Sequence, residues 1–457
     1  MMENRYCFVD GFGPSRATKK AIRSHAMKGK NAGKTLHRPS KLKQLAKPRH
    51  LVYPAQTNLA QHSNPGYFSV CENLITIPRP HGNVFLACSL PVVLTAPSLR
   101  IISQFLTSVA EKMYPPRLGV SPDEARYMWL QLMFTDEAAS RCSIALMDAC
   151  NGFFFGDNPD SPRGLYFLSE VLCLVNERLR GKEALSDSTL SLVISLILQE
   201  EMRHDQAGAE IHYAGLTKMV QLRGGLNEFN SNLPLLLKIC KMDICHALQN
   251  GGPVLFFWDC LPSSQTDVHH VLSSSSYLDG DMAPDLRRIL VDALNFSAQV
   301  NQCLNFPAYD VITFQETLVS ICCRLNQFQP LKALRCGTPM ESAYHIGLTT
   351  FMMTLFMQWD GRRIWHYPLV SRHLREVLEY EEMYGCGEYD NLLLWVMFIG
   401  GIWVLADPDG FWLLPKLRTL VRKLGIKDFE GVLKRLRSFP WINEMHDEAG
   451  RFIMDML

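Results

Sequence analysis

The stretch Gln206-Ala-Gly-Ala-Glu-Ile-His-Tyr-Ala-Gly-Leu-Thr-Lys-Met-Val-Gln-Leu-Arg223-Gly224-Gly225 decides how the chain is read. Ala209, Tyr213, Leu216 and Val220 recur at steps of three and four, which puts them on one face of an α-helix. The paired glycines predict its end, because glycine adopts the left-handed conformation that stops a helix. The same pattern extends outward in both directions. Ser186 or Asp187 caps a helix over roughly 188–204, and the run that follows the glycines predicts another over 233–249. Upstream, Pro97-Ser98 opens a segment in which Leu99, Ile102, Phe105, Leu106 and Val109 keep helical spacing. Ser121-Pro122-Asp123-Glu124 provides an N-cap with proline in the first turn. Residues 165–180 form an amphipathic run that stops at Gly181. Downstream, helices are expected near 284–303, 310–327, 341–359, 370–384, 391–405, 411–424, 428–438 and 443–456.

Few segments alternate like strands, and nothing alternates strand with helix as a doubly wound sheet does. The serine-rich segment 252–276 reads as a loop. The expected fold is therefore all-α: one large multi-helix domain over 84–457, built of packed antiparallel helix pairs. With 47% apolar residues, the 457-residue chain can bury such a core.

Charge divides the chain. Residues 1–50 carry 13 Lys and Arg against 2 Asp and Glu, whereas the other 407 carry 33 against 43. A segment that basic repels itself and has little apolar surface to bury, so a disordered arm is expected over 1–50. Pro54, Pro65, Gly66, Pro78, Pro80 and Gly82 mark 51–83 as a linker. Within the arm, Arg16, Lys19, Lys20, Arg23, Lys28 and Lys30 are the candidates for contact with phosphates or with an acidic import receptor. Their helical spacing would gather most of them into a cationic stripe. Nucleic-acid binding, a nuclear import address and a solvated tail all remain open on charge alone.

The 14 cysteines are scattered through apolar runs without any C-x-x-C, which argues for reduced thiols and against zinc ribbons. The polar, basic N-terminal residues do not read as a secretory leader. The longest apolar run, 392–406, has fifteen residues and is interrupted by Gly400-Gly401. A bilayer span needs about 20, so this run is expected to be a buried helix, its glycines admitting a neighbour at close range. The strings H-E-x-x-H, G-x-S-x-G, G-x-x-x-x-G-K-[ST] and G-x-G-x-x-G are all missing, so no catalytic residue, metal ligand or cofactor is assigned. The one enzyme-like pair is Glu201 and His204, at i and i+3 on a predicted helix, where a metal could be shared. A helical metalloenzyme built on them is the lesser alternative. The competing expectation is a solvated helix end containing Glu200, Glu201, Arg203, His204 and Asp205.

The run from His212 through Gly215 to Arg223-Gly224-Gly225-Leu226 resembles the hallmark stretch of the regulatory domain in fungal-specific transcription factors. There, a helix with a His and a Gly enters an Arg-Gly-Gly turn, and a helix containing an Asp follows, here Asp243. The order of 392–401, Asp407-Pro408, Phe411-Trp412, Leu424-Gly425, Phe439-Pro440-Trp441 and Asp447-x-x-Gly450 is similar to the end of that domain. The likeness covers roughly 85–455. Phe8-Val9 followed by KKAIRSHAMKGKNAGK over 19–34 resembles the start of a subset of these proteins.

The resemblance implies a nuclear transcriptional regulator that controls a metabolic or biosynthetic gene set. The motif residues His212, Gly215, Arg223, Gly224, Gly225 and Asp243 would have structural roles. Implied partners are DNA through the arm, a nuclear import receptor, co-regulators and a second copy of the chain, with no membrane. One departure matters: family members usually place a six-cysteine zinc cluster before this domain, and residues 1–50 contain Cys7 alone. The alternative is thus a co-regulator or scaffold that does not bind DNA and uses the arm for import.

Overall fold

The computed structural model describes residues 91–109, 120–155, 162–261, 282–302, 310–333, 337–356, 367–384, 387, 389–405 and 408–457, together with two short strands. These strands, β1 (Thr76–Ile77) and β2 (Cys88–Ser89), pair antiparallel. All described residues fall within the unit Ser69–Leu457. The basic arm 1–50, with its six candidate contact residues, and nearly all of the 51–83 linker lie outside the described residues.

The described part is all-α. In chain order the helices are α1 (Ala96–Gln104), α2 (Pro122–Met133), α3 (Glu137–Phe155), α4 (Pro162–Leu179) and α5 (Asp187–Met202). Next come α6 (Gln206–Arg223), α7 (Leu233–Asn250), α8 (Pro284–Gln302), α9 (Val311–Phe328) and α10 (Pro339–Phe356). The last five are α11 (Pro368–Val377), α12 (Asp390–Val404), α13 (Leu413–Lys423), α14 (Phe429–Leu436) and α15 (Asn443–Asp455).

Capping chemistry explains many of the starts. Side chains of Thr95, Ser121, Ser186, Asp205, Asn232, Asp310 and Asp428 each accept a backbone N–H from the first turn they precede. Proline occupies the first turn of α1, α2, α7 and α11, where its missing N–H costs nothing.

Four departures from the sequence reading have physical causes. Helix α3 was not anticipated: Ala139, Ser143, Leu146, Met147 and Cys150 are all buried, and the small polar residues among them blur its apolar stripe. Helix α1 passes into a π-helical turn at Phe105–Val109. Helix α5 stops at Met202, two residues early, because His204 takes a left-handed φ of 56°. The helix expected over 370–384 divides into α11 and a 3-10 turn at Glu381–Tyr384.

Helix α5 packs closely against α6, and a three-residue connection forces that pair antiparallel. Helix α7 sits beside α9, and α10 lies between α9 and α12. Helix α12 is the centre of the C-terminal half. Twelve of its residues from Leu392 onward are buried, and α10, α11, α13 and α15 surround it. This all-round burial explains an apolar run too short for a bilayer. Among the described residues, no helix is long and apolar enough to cross a membrane.

Glycines set the closest approaches. A Cβ on Gly400 would lie 2.6 Å from Leu374 Cδ2, and one on Gly347 would lie 2.4 Å from Trp395 Cζ3. Trp395 is fully buried, stacks on Phe439 at 5.3 Å and donates its Nε1–H to the Pro440 carbonyl at 2.9 Å. It cannot retreat without losing that bond. Gly347→Ala is therefore expected to destabilise the fold by about 2 kcal/mol, as measured by urea unfolding; an unchanged midpoint would mean that the ring has room to move.

Candidate functional site

The motif residues lie on the α5–α6–α7 layer, and they fall into three separate groups. At the C-terminal end of α6, Gly224 and Gly225 have φ of 116° and 98°, values open to glycine. The Gly225 N–H donates to the Val220 carbonyl at 2.9 Å, closing the helix. Arg223 reaches across to Asp187 and to the Leu185 carbonyl, with its guanidinium 4.2 Å above the Phe229 ring. Asn232 donates to the other Asp187 oxygen at 2.7 Å and caps α7 with its own. One carboxylate thereby ties the start of α5, the end of α6 and the start of α7.

The second group surrounds Asp243, which is 1% exposed. It accepts from the Tyr213 hydroxyl on one oxygen, and from the Leu255 and Phe256 N–H groups on the other at 2.8 and 2.7 Å. Burial raises its carboxyl above the ordinary value, against the opposing pull of those three donors. Burial and the adjacent carboxylate together drive the Tyr213 hydroxyl upward. The Tyr213 ring stacks on His246 at 3.7 Å, and His246 Nε2 lies 2.8 Å from Glu210.

The third group is at the α5–α6 connection. Glu200 pairs with Arg203 at 2.7 Å, and His212 Nε2 is 3.9 Å from its other oxygen. Burial lowers the His212 pKa, so the ring is mainly neutral near pH 7. About 16 Å of helix separates His212 from Arg223 at 1.5 Å per residue, so these motif residues do not meet at one point. A Cβ on Gly215 would meet nothing within 4 Å, and no packing contact requires glycine there.

The solvated helix end expected at 200–205 is partly wrong. Glu200 and Glu201 are each 6% exposed, and Glu201 accepts from Gln249 at 3.0 Å with its carboxyl pushed up to about 7 by burial. His204 is exposed and beyond the end of α5, so it does not share a helix face with Glu201. Among the described residues, no group of three or more His, Cys, Asp or Glu could hold a metal ion. Cys245 is buried, and desolvation pushes its thiol up to about 12, away from nucleophilic use.

Two cavities and one residue were not legible beforehand. A cleft of about 470 Å³ between α8, α14 and the start of α15 is lined by Leu294, Asn301, Leu433, Arg437, Phe439 and Trp441. That volume is in the range of small-molecule sites. A much smaller cavity, about 20 Å³, lies where α2, α3, α5 and α7 meet. Lys238 lines it, only 7% exposed, with its Nζ 4.6 Å above the Trp129 ring. The available signal was a lysine inside the apolar run Leu235-Leu236-Leu237-Lys238-Ile239, with Leu235 and Met242 on its own helix face.

The chain matches no protein-family model, no curated protein and no solved structure.

Proposed function

We propose that the chain is a nuclear transcriptional regulator of the fungal-specific type, controlling a metabolic or biosynthetic gene set, with a basic arm joined to a helical regulatory domain. The carrying observation is the charge division: 13 Lys and Arg against 2 acids in residues 1–50, ahead of a mildly acidic remainder. Such a segment suits phosphate contact and import-receptor binding. The resemblance from His212 to Gly225 supports the same reading, since this run makes α6 and the turn that anchors it to α5 and α7. The 470 Å³ cleft supplies a place where a metabolite could bias the domain.

The single cysteine in residues 1–50 favours a second reading, a co-regulator that reaches promoters through another protein. One experiment separates them. Chain lacking residues 1–50 should leave the nucleus and lose chromatin occupancy. When import is restored by a foreign signal, occupancy should stay lost if the arm touches DNA. Recovered occupancy selects the co-regulator, and a truncated chain that still enters the nucleus and occupies chromatin sinks both.

A further inference from the structure

The cleft of about 470 Å³ has a wall on α8 made of Leu294, Ser297, Ala298 and Asn301, none of them charged. Phe439 and Trp441, both buried, line its deeper part. Asn301 ties α8 to the start of α15, donating to the Trp441 carbonyl at 2.7 Å and accepting the Asn443 N–H at 2.9 Å. Asp447 also lines the cleft, but its carboxylate is committed: it accepts from Trp441 Nε1 at 2.8 Å and lies 3.7 Å from Arg451. The remaining charges are Glu430 and Arg437, both on α14 or its C-cap and both exposed. Neither side chain makes a hydrogen bond or ion pair with any described residue, nor with the other. A preformed cleft thus presents two unspent charges of opposite sign beside apolar walls.

The spacing of the two charges sets the size of what they can hold. Glu430 and Arg437 are two helical turns apart, so they project from one face of α14 with Leu433 between them. Arg437 keeps helical angles at the C-cap, φ −57° and ψ −22°, so the spacing holds to the end. At 1.5 Å per residue their Cα atoms lie about 10 Å apart, and both side chains lean towards the helix N-terminus, which preserves that separation. A charge-assisted hydrogen bond takes up about 2.8 Å at each end, leaving about 5 Å between the charges of a ligand that bridges them. One amino acid spans at most about 3.5 Å and two at most about 7 Å. We propose that the cleft binds an apolar dipeptide, with its carboxylate on Arg437, its ammonium on Glu430 and its side chains against Leu294, Leu433 and Trp441. The planar guanidinium matches a terminal carboxylate in two parallel hydrogen bonds. Occupancy acts as a signal only under the regulatory reading above, whereas binding itself asks nothing of DNA or the nucleus, so the two fail separately.

The test titrates the full-length chain with the dipeptide Leu-Leu by isothermal calorimetry near neutral pH. Saturable binding is expected, and it should weaken about tenfold for N-acetyl-Leu-Leu, for Leu-Leu amide and for free leucine, each of which loses one end of the bridge. Arg437→Gln should weaken Leu-Leu about tenfold and erase the difference between the acid and the amide. Glu430→Gln should do the same for the free and acetylated amine. Both side chains are exposed and hold nothing in the fold, so the variants keep the native structure. Ala298→Trp, also at an exposed position, fills the cleft with both charges in place and should abolish binding. The proposal is overturned if Leu-Leu gives no heat at millimolar concentration, if a blocked dipeptide binds as tightly, or if either charge variant keeps full affinity.

Discussion

Lys238→Met should make the protein more stable at pH 7 by about 3 kcal/mol. Lysine titrates near 10.4 in an unfolded chain, whereas desolvation holds Lys238 down to about 7 in the folded one. Between those values the unfolded state binds the extra proton, so the natural protein gains stability as pH rises from 7 towards 10 and is penalised fully below 7. The like charge of Lys241 adds to the penalty. Methionine fills a similar volume without that cost, giving up only the contact between Nζ and the Trp129 ring. Urea unfolding at pH 6.5, 8.5 and 10 measures the difference. The advantage of methionine should be largest at pH 6.5 and nearly gone at pH 10. A gain that stays constant across the series would show that Lys238 titrates normally.

Asp243→Ala is expected to cost about 3–5 kcal/mol, chiefly because it strands three donors. The N–H groups of Leu255 and Phe256 and the hydroxyl of Tyr213 converge on this carboxylate, and the alanine side chain offers no acceptor. The segment 251–261 leaves α7 as irregular chain, so its N–H groups have no helical ladder to fall back on. Asp243→Asn keeps one acceptor oxygen but turns an NH2 group towards existing donors, so an intermediate loss is expected. Equilibrium unfolding of both variants orders them. If alanine costs no more than asparagine, the hydrogen bonds are not what holds the 255–256 backbone against α7.

What could be read before the structure follows from where side chains speak for themselves. The all-α architecture was legible because caps such as Ser121 and Ser186 announce helix starts, and Gly224-Gly225 announces a stop. Helix α3 was hidden because small residues such as Ala139, Ser140 and Ser143 share its buried side with Leu146 and Met147 and interrupt the apolar stripe. The burial of Glu200 and Glu201 was hidden for another reason: a run of charged residues looks solvated until a neighbour such as Gln249 is placed beside it. Lys238 carried a visible signal, a cation within an apolar run, but its cavity depends on Trp129 and Ser191 from distant parts of the chain. Asp243 was picked out by resemblance alone, and its role needed the 255–256 backbone in place. The arm residues Arg16 to Lys30 were selected by charge, and they lie outside the described structure.

The notches at Gly347 and Gly400 work like the wards of a lock. Trp395 fills one and Leu374 the other, so the mating helices fit in a single axial setting. A slip by one turn, about 5.4 Å, would drive a full side chain into each slot. Helices α10, α11 and α12 are consequently keyed into one block, whose members cannot slide past one another without opening both notches.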